Sequence, residues 1–232
     1  MTTNSLVPRL SVLSAPVSAR RPIAVRVSRQ LVPALRRSLD VGASAAGLVV
    51  LAPLLLLTAL AIRATGSGPL LFAQERVGIR GRTFRMWKFR TMLHGADAQA
   101  AALAAAAAGA ASGGVRFKMK VDPRVTRVGR VLRKLSVDEL PQLWNVLRGD
   151  MALVGPRPPL PREVRLYDPR ALRRLEVKPG LTCFWQVSGR SDLSFERQVE
   201  LDIEYIDRAS AADDVKILAR TVPAVLTGRG AY

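Results

Sequence analysis

The sequence of 232 residues contains one cysteine, Cys183, and one histidine, His94. A single cysteine excludes an internal disulfide framework, and we interpret Cys183 as a small buried apolar side chain. His94 has no metal-type side chains near it in the sequence, so we assign it no role.

Several nucleotide and metal motifs are also missing. The chain has no GxxxxGK[ST] loop, no GxGxxG after a strand, no CxxC pair and no HExxH. These absences argue against a nucleotide-hydrolysis loop, a Rossmann cofactor and a structural zinc site. Chemistry on phosphates would therefore depend on carboxylates, cations and a metal ion.

Acidic residues are scarce in the first third of the chain. Residues 1–74 contain eight arginines and one acid, Asp40, whereas Asp192 to Asp214 contains eight acids. The formal net charge of +18 indicates attraction to an anionic partner. Nucleic acid, phospholipid headgroups and phosphorylated substrates all fit this charge, and composition does not choose among them.

The chain divides into three predicted regions. Residues 1–35 read as a basic disordered tail, residues 36–65 as a membrane-embedded helix and residues 66–232 as the main folded domain. The 22 residues from Val41 to Ile62 carry no charge and are long enough to cross a bilayer core as a helix. Pro53 predicts a kink in their middle, and cations flank both ends, so we favour a re-entrant helix over a straight span.

The pattern beyond residue 66 predicts an α+β domain that is mostly α. Phe72 to Met92 reads as a β-hairpin, whereas the run of alanines at Ala98 to Ser112 carries no chemistry. Helices are expected at Leu135 to Arg148, Pro161 to Glu176 and Phe195 to Arg208. We expect a compact interfacial domain, with amphipathic helices on the headgroup layer next to the re-entrant helix.

Asp138 and Glu139 are the most informative residues, and we call them the carboxylate dyad. Ser136 followed by Glu139 matches a capping box at a helix start, and an acid at Asp138 suits the helix dipole. The same environment would keep a carboxylate ionised as a nucleophile or as a ligand for a divalent cation. The local pattern leaves the structural and the catalytic interpretations open.

Other motifs are weaker when taken alone. Pro156-Arg157-Pro158 fixes the backbone around one guanidinium, as a phosphate site requires, but it also suits a proline-rich exit from a helical hairpin. Asp122-Pro123-Arg124 resembles a turn opener, and Gly149-Asp150 resembles a helix stop followed by a turn acid.

Several ordered blocks resemble the bacterial sugar transferases, also called monotopic polyprenyl-phosphate phosphoglycosyl transferases. The resemblance runs from about Arg36 to Tyr232. It rests on the apolar segment with Pro53, on KFRTM, on DPRVTRVGRVLRK, on DELPQLWNVLRGDMALVGPRP, on PGLTCFWQVSGRS and on LTGRGAY. The family often has a Ser-Pro pair at the bend, where this chain has Ala52 before Pro53.

The resemblance implies transfer of a sugar 1-phosphate from a UDP-sugar to a polyprenyl phosphate, with release of UMP. It implies that Asp138 is the nucleophile of a covalent phosphosugar intermediate and that Glu139 helps to bind Mg²⁺, so the dyad is the expected metal site. Arg157 would hold phosphate oxygens. Further expected substrate contacts are Lys88, Arg124, Arg127 and Arg190.

The resemblance also implies a place in the cell, the bacterial cytoplasmic membrane, with the catalytic domain on the cytoplasmic face. Membrane lipid is an expected partner, nucleic acid is not, and a homo-oligomer is compatible with the sequence. The competing hypothesis is a non-catalytic membrane-bound adaptor whose cations hold anionic lipid or nucleic acid. The sequence contains no recognisable nucleic-acid-binding motif, which argues against an adaptor that holds nucleic acid.

Overall fold

The computed structural model describes residues 23–93, 95–96, 122–189, 192–208 and 210–228, with side chains from Ala34 onward. His94, the alanine run at Ala98–Ser112 and Arg190 lie outside the described residues. Contacts divide the chain into two units, Met1–Leu35 and Arg36–Tyr232, and all tertiary packing below concerns the second unit.

Two helices form the apolar segment. Helix α1 spans Ile23–Val50 and helix α2 spans Ala52–Ala64. Helix α1 therefore begins within residues 1–35, where sequence predicts a disordered tail. The predicted bend is present, because Pro53 lies in the first turn of α2 and the two helix axes differ by 59°. Within the described residues no single helix meets the length and hydropathy of a membrane span, whereas this bent pair meets them jointly.

The predicted hairpin is confirmed. Strands β1 (Leu71–Val77) and β2 (Thr83–Phe89) pair antiparallel around a 3₁₀ turn at Ile79–Gly81. Both faces of β2 are packed: Met86 contacts Val146 and Met151, and Phe89 contacts α2 and the helix that follows the hairpin. The hairpin is thus held between the bent helix pair and the rest of the domain.

Short elements follow the hairpin. Helix α3 is Arg127–Lys134, a 3₁₀ turn covers Val137–Glu139, helix α4 is Gln142–Arg148 and strand β3 is Ala152–Val154. Gly149 ends α4 in a left-handed conformation, as its sequence predicts. The single helix expected over Leu135 to Arg148 is wrong, because the backbone reverses at Ser136 with a φ of 54°.

The expected helix over Pro161 to Glu176 is also wrong. It is divided into α5 (Pro161–Val164), α6 (Pro169–Leu172) and a 3₁₀ turn at Arg173–Leu175. The first helix ends at Val164, and Asp168 caps the start of the second, since its carboxylate accepts from the Ala171 N-H at 2.7 Å.

The remaining elements complete a mostly helical α+β unit. Strand β4 (Gly180–Thr182) pairs parallel with β3, and helices α7 (Phe184–Ser188), α8 (Phe195–Arg208) and α9 (Ala211–Thr227) follow. The bounds of α8 agree with the sequence prediction. Cys183 is buried, as expected, and burial raises the pKa of its thiol.

One buried ion pair connects the 3₁₀ turn at Arg173–Leu175 to α8. Arg174 donates from Nε to Asp202 Oδ2 at 2.8 Å and from Nη1 to the Tyr167 hydroxyl at 2.9 Å. The guanidinium lies 5.7 Å from the Tyr167 ring centroid and 5.9 Å from that of Phe195. The side chains of Arg174 and Asp202 are 0% and 1% exposed.

Candidate active site

The carboxylate dyad lies in the tight turn between α3 and α4. Ser136 adopts a left-handed conformation, and the chain then forms the 3₁₀ turn that contains Asp138 and Glu139. The predicted capping box is absent, because the Ser136 side chain makes no capping hydrogen bond and the Glu139 carboxylate points to cations instead. A non-glycine residue in this conformation costs on the order of 1 kcal/mol, and such strain is concentrated at functional sites.

Glu139 is held by two cations from distant parts of the chain. Its Oε1 accepts from Lys88 Nζ at 2.7 Å and from Arg157 Nη2 at 3.0 Å. Burial acts to raise the pKa of Glu139, but Arg157 and Lys88 together outweigh burial and hold the pKa well below its usual range. Glu139 is therefore ionised at any physiological pH.

The pKa of Asp138 is shifted in the opposite direction, although Asp138 is the residue next to Glu139. It is 8% exposed, and burial is the main cause that raises its pKa to about 6. Lys88, Arg133 and Arg157 act to lower this pKa, and the negative charge of Glu139 raises it. The two carboxylates thus titrate far apart, which is the pattern expected of a pair that divides its roles.

Arg157 and Lys88 are placed by rigid backbone. Pro156 and Pro158 are fully buried on either side of Arg157, and strand β2 carries Lys88. The charge of Glu139 raises the pKa of Arg157, whereas burial lowers the pKa of Lys88 against the attraction of Glu139. The structure therefore brings Lys88 and Arg157, both predicted from the sequence, onto the same oxygen of Glu139.

Strand β1 supports the Pro156–Pro158 segment from behind. The Arg76 Nη1 donates to the Pro158 carbonyl at 2.9 Å, and the Val77 N-H donates to the Pro159 carbonyl at 2.9 Å. On the other side, Gly180 N-H donates to the Pro156 carbonyl at 3.0 Å. A Cβ on Gly180 would lie 2.0 Å from the Gly155 nitrogen, so this close approach of two chains requires glycine.

Sequence reasoning missed Arg133. It lies in the last turn of α3, its Nε donates to the Thr91 hydroxyl at 2.9 Å, and its charge lowers the pKa of Asp138. Burial lowers the pKa of Arg133 itself. The only signal in the sequence was its position in a basic stretch with eight cations, Arg116 to Lys134, which gives no means to rank them.

The remaining predicted substrate contacts are Arg124, Arg127 and Arg190. Arg124 donates from Nε and Nη2 to the Asp122 carboxylate at 2.9 and 2.7 Å, which lowers the pKa of Asp122. Arg127 is exposed at the start of α3. Arg190 lies outside the described residues.

The dyad offers two carboxylates to a metal ion. Among the residues that the structure describes, no group of three or more His, Cys, Asp and Glu side chains forms a ready metal cage. Mg²⁺ is commonly bound by one or two carboxylates together with substrate phosphates and water, so a donor set of two carboxylates fits it. Within the described residues both hydrogen bonds to the Glu139 side chain fall on Oε1.

Comparison with known proteins identifies the relatives of this chain. Residues 31–228 match the family model described as bacterial sugar transferase. The exopolysaccharide production protein ExoY of Rhizobium meliloti is 41% identical over 198 residues, which cover 85% of this chain and 88% of that protein.

Two further relatives have more specific names. The UDP-glucose:undecaprenyl-phosphate glucose-1-phosphate transferase of Caulobacter vibrioides is 43% identical over 205 residues, covering 85% of this chain and 72% of the relative. The undecaprenyl-phosphate galactose phosphotransferase of Salmonella typhimurium is 40% identical over 199 residues, 85% of this chain but only 42% of that longer protein. The chain belongs to the bacterial sugar transferase family.

Proposed function

We propose that the protein transfers a sugar 1-phosphate from a UDP-sugar to a polyprenyl phosphate and releases UMP, as the first membrane step of exopolysaccharide or glycoconjugate synthesis. The observation that carries the proposal is the position of Asp138. It is a buried carboxylate, ionised above pH 6, that faces Lys88, Arg133 and Arg157. The non-catalytic adaptor is not favoured, because an adaptor has no use for a buried carboxylate with a raised pKa.

The reaction proceeds in two displacements on one phosphorus. A carboxylate oxygen of Asp138 attacks the β-phosphorus of the UDP-sugar, and the bond from that phosphorus to the bridging oxygen breaks. UMP leaves with the electron pair, and the sugar phosphate stays on Asp138 as a mixed anhydride. An oxygen of the polyprenyl phosphate then attacks the same phosphorus, which restores the Asp138 carboxylate and forms the polyprenyl diphosphate sugar.

The cations and Glu139 support both displacements. Arg157 and Lys88 are held by Glu139 and would bind phosphate oxygens of the substrates, and Arg133 adds charge beside Asp138. Asp138 and Glu139 would hold Mg²⁺, which when bound neutralises charge on the diphosphate and on the leaving UMP. Glu139 is the better resident ligand, because it stays ionised throughout.

A membrane location is supported by exposed apolar surface. Large apolar side chains of the bent helix pair remain exposed on both limbs, including Val49 and Val50 at 75% and Leu57 at 64%. Helix α9 also leaves an apolar stripe exposed: Val215, Leu218, Val222 and Leu226. We propose a re-entrant α1–α2 pair and an interfacial α9 on the cytoplasmic face of the bacterial inner membrane. Self-association stays a prediction from the sequence.

The test is an assay of UMP release in vesicles that contain undecaprenyl phosphate. UDP-glucose and UDP-galactose are supplied in turn, with Mg²⁺ or with excess EDTA. The proposal expects sustained UMP release only when donor, lipid phosphate and Mg²⁺ are all present. Sustained release without any lipid phosphate would contradict the proposed acceptor, and equal release with EDTA would contradict the proposed metal.

A further inference from the structure

The first described turns of α1 in the catalytic unit are bonded to three separate elements of that unit. Arg36 Nε lies 3.1 Å from Asp214 Oδ2 on α9, and Asp40 Oδ1 accepts from the Leu153 N-H of β3 at 3.0 Å. Arg37 contacts α4. The orientation of the apolar segment is therefore fixed by protein contacts at its N-terminal base.

Arg37 makes the shortest of these contacts. Its Nη1 donates to the Val146 carbonyl and its Nη2 to the Leu147 carbonyl, both at 2.6 Å. Both carbonyls lie in the last turn of α4, where the helix dipole favours a cation, and the Val146 carbonyl also accepts from the Gly149 N-H at 3.0 Å. A planar guanidinium with two parallel donors suits this arrangement, and a lysine would satisfy only one carbonyl at a time.

Helix α4 connects this contact to the catalytic groups. It begins at Gln142, three residues after Glu139. The Asn145 side chain accepts from the Trp87 N-H at 3.0 Å and donates to the Arg85 carbonyl at 2.7 Å, so α4 is bonded to the strand that carries Lys88. Displacement of the C-terminal end of α4 would move both the dyad and Lys88 relative to the apolar segment.

The cation at the other end of the bent helix pair differs in its contacts. Arg63 lies in the last turn of α2, and its exposed side chain makes no hydrogen bond or ion pair with the part of the chain that the structure describes. Both arginines would contribute equally to a purely electrostatic attraction to headgroups. Of these two arginines, Arg37 is the one whose side chain is bonded to another element of the described catalytic unit, so the chain provides its own matched control.

We propose that Arg37 is a positioning residue that sets the depth of the dyad relative to the apolar segment, and that it governs transfer to the lipid phosphate. The proposal rests on the proposed two-step function. The UDP-sugar arrives from water and reaches the dyad at any depth. The lipid phosphate is confined to the headgroup layer, so the second displacement alone depends on that depth.

The test separates the two displacements in Arg37→Ala, Arg37→Lys and Arg63→Ala. Enzyme in vesicles without undecaprenyl phosphate is mixed with UDP-glucose or UDP-galactose, whichever the wild type accepts, and the single burst of UMP is timed. Undecaprenyl phosphate is then added and product formation is followed. For Arg37→Ala the inference expects an unchanged burst and a loss of about tenfold or more in the second step. Arg37→Lys should recover part of that loss, and Arg63→Ala should match the wild type in both steps.

A second measurement distinguishes positioning from general damage to the fold. In detergent micelles the lipid phosphate is not held at a fixed depth, so the defect of Arg37→Ala should become smaller there than in vesicles. Equal losses in both displacements, or equal behaviour of Arg37→Ala and Arg63→Ala, would overturn the inference. If Arg37→Ala unfolds at the assay temperature, Arg37→Lys decides between the same outcomes. A wild type without any UMP burst would instead contradict the proposed function.

Discussion

Two buried groups of charged side chains in this protein differ in their balance of positive and negative charge. In the pair between Arg174 and Asp202, one guanidinium faces one carboxylate, with both side chains almost fully excluded from water. Around the dyad, three cations face two carboxylates, and the carboxylate of Asp138 has a pKa raised to about 6. The three cations are Lys88, Arg133 and Arg157.

The difference indicates which group is structural and which is catalytic. A balanced buried pair holds elements together, since removal of either partner leaves an uncompensated charge in the protein interior. The dyad group has three cations against two carboxylates, and in the described part of the chain no side chain donates a hydrogen bond to Asp138, an arrangement that favours the arrival of an anion. Burial of charge therefore has two different results. The balanced pair holds the turn at Arg173–Leu175 against α8, whereas the unbalanced group forms a reactive centre at the turn after α3.

The largest expected effect comes from Asp138→Asn. Loss of the nucleophile should lower the rate of transfer by at least about 10³-fold, measured as UMP release with lipid acceptor present.

The Asp138→Asn variant should also be more stable than the wild type above pH 6. The raised pKa means that ionisation of Asp138 disfavours the folded state, a cost on the order of 3 kcal/mol that is absent below the unfolded pKa.

Thermal unfolding at pH 8 and pH 4 checks the sign of this effect. The melting temperature of Asp138→Asn should exceed that of the wild type at pH 8, and most of the difference should be lost at pH 4. A variant that is less stable than the wild type at pH 8 would contradict the assignment of burial as the main influence on Asp138.

A smaller loss of catalytic activity is expected for Arg157→Ala than for Asp138→Asn. The change removes one of the two donors to Glu139 Oε1 and one cation from the phosphate site, so kcat/KM for the UDP-sugar should fall about 10²-fold. The matched control is Arg148→Ala, because Arg148 is more than half exposed and its nearest carboxylate oxygen, on Asp150, is 3.8 Å away. If Arg148→Ala lost as much activity as Arg157→Ala, the specific role of Arg157 would be refuted.

Substitutions in the pair between Arg174 and Asp202 should change the stability of the fold and not the rate of the transfer reaction. Asp202→Asn leaves Arg174 buried without its countercharge and should lower the free energy of unfolding by about 3 kcal/mol. Replacement of both residues by leucine should cost less than Asp202→Asn alone. Chemical denaturation measures the stability, and UMP release per folded molecule should stay near the wild-type value. If Asp202→Asn stayed stably folded but lost activity, the assignment of the Arg174–Asp202 pair as structural and of the dyad group as catalytic would be contradicted.

The smallest expected effect is a shift in pH dependence. The rate of the first displacement should rise with pH through about 6, because only the ionised Asp138 attacks phosphorus. Arg133 lowers the pKa of Asp138, so Arg133→Ala should move the midpoint of this rise to higher pH. Single-turnover UMP release between pH 5 and 8 measures it, and a shift to lower pH would contradict the placement of Arg133.

Sequence patterns predicted those parts of the fold in which local chemistry decides the structure. Alternation around Gly78 and Gly81 gave the hairpin, and the bend of the apolar segment followed from Pro53. Two of the three long helices predicted after residue 135 were wrong, because single residues redirect the backbone at Ser136 and at Asp168-Pro169, whereas the helix from Phe195 to Arg208 was confirmed. The parallel pairing of β3 with β4 joins strands of three residues each, which are too short to give a periodic signal.

The site could be predicted only in part. Resemblance to a family indicated Asp138, Glu139 and Arg157, and the structure places Lys88 and Arg157 on Glu139. No local pattern predicts that residues 51 and 18 positions from Glu139 meet at one oxygen, because that depends on tertiary packing. Arg133 was missed for the same reason, and the capping box failed because charged partners outcompeted backbone N-H groups.

The central claim is that Asp138 carries the sugar phosphate between donor and lipid. Its most direct test is the intact mass of the protein after incubation with the accepted UDP-sugar and Mg²⁺ and without lipid acceptor, followed by peptide mapping. The account predicts a mass increase of one sugar phosphate that maps to Asp138, disappears when undecaprenyl phosphate is added and never forms in Asp138→Asn. An adduct on another residue, or full transfer activity in Asp138→Asn, would contradict it.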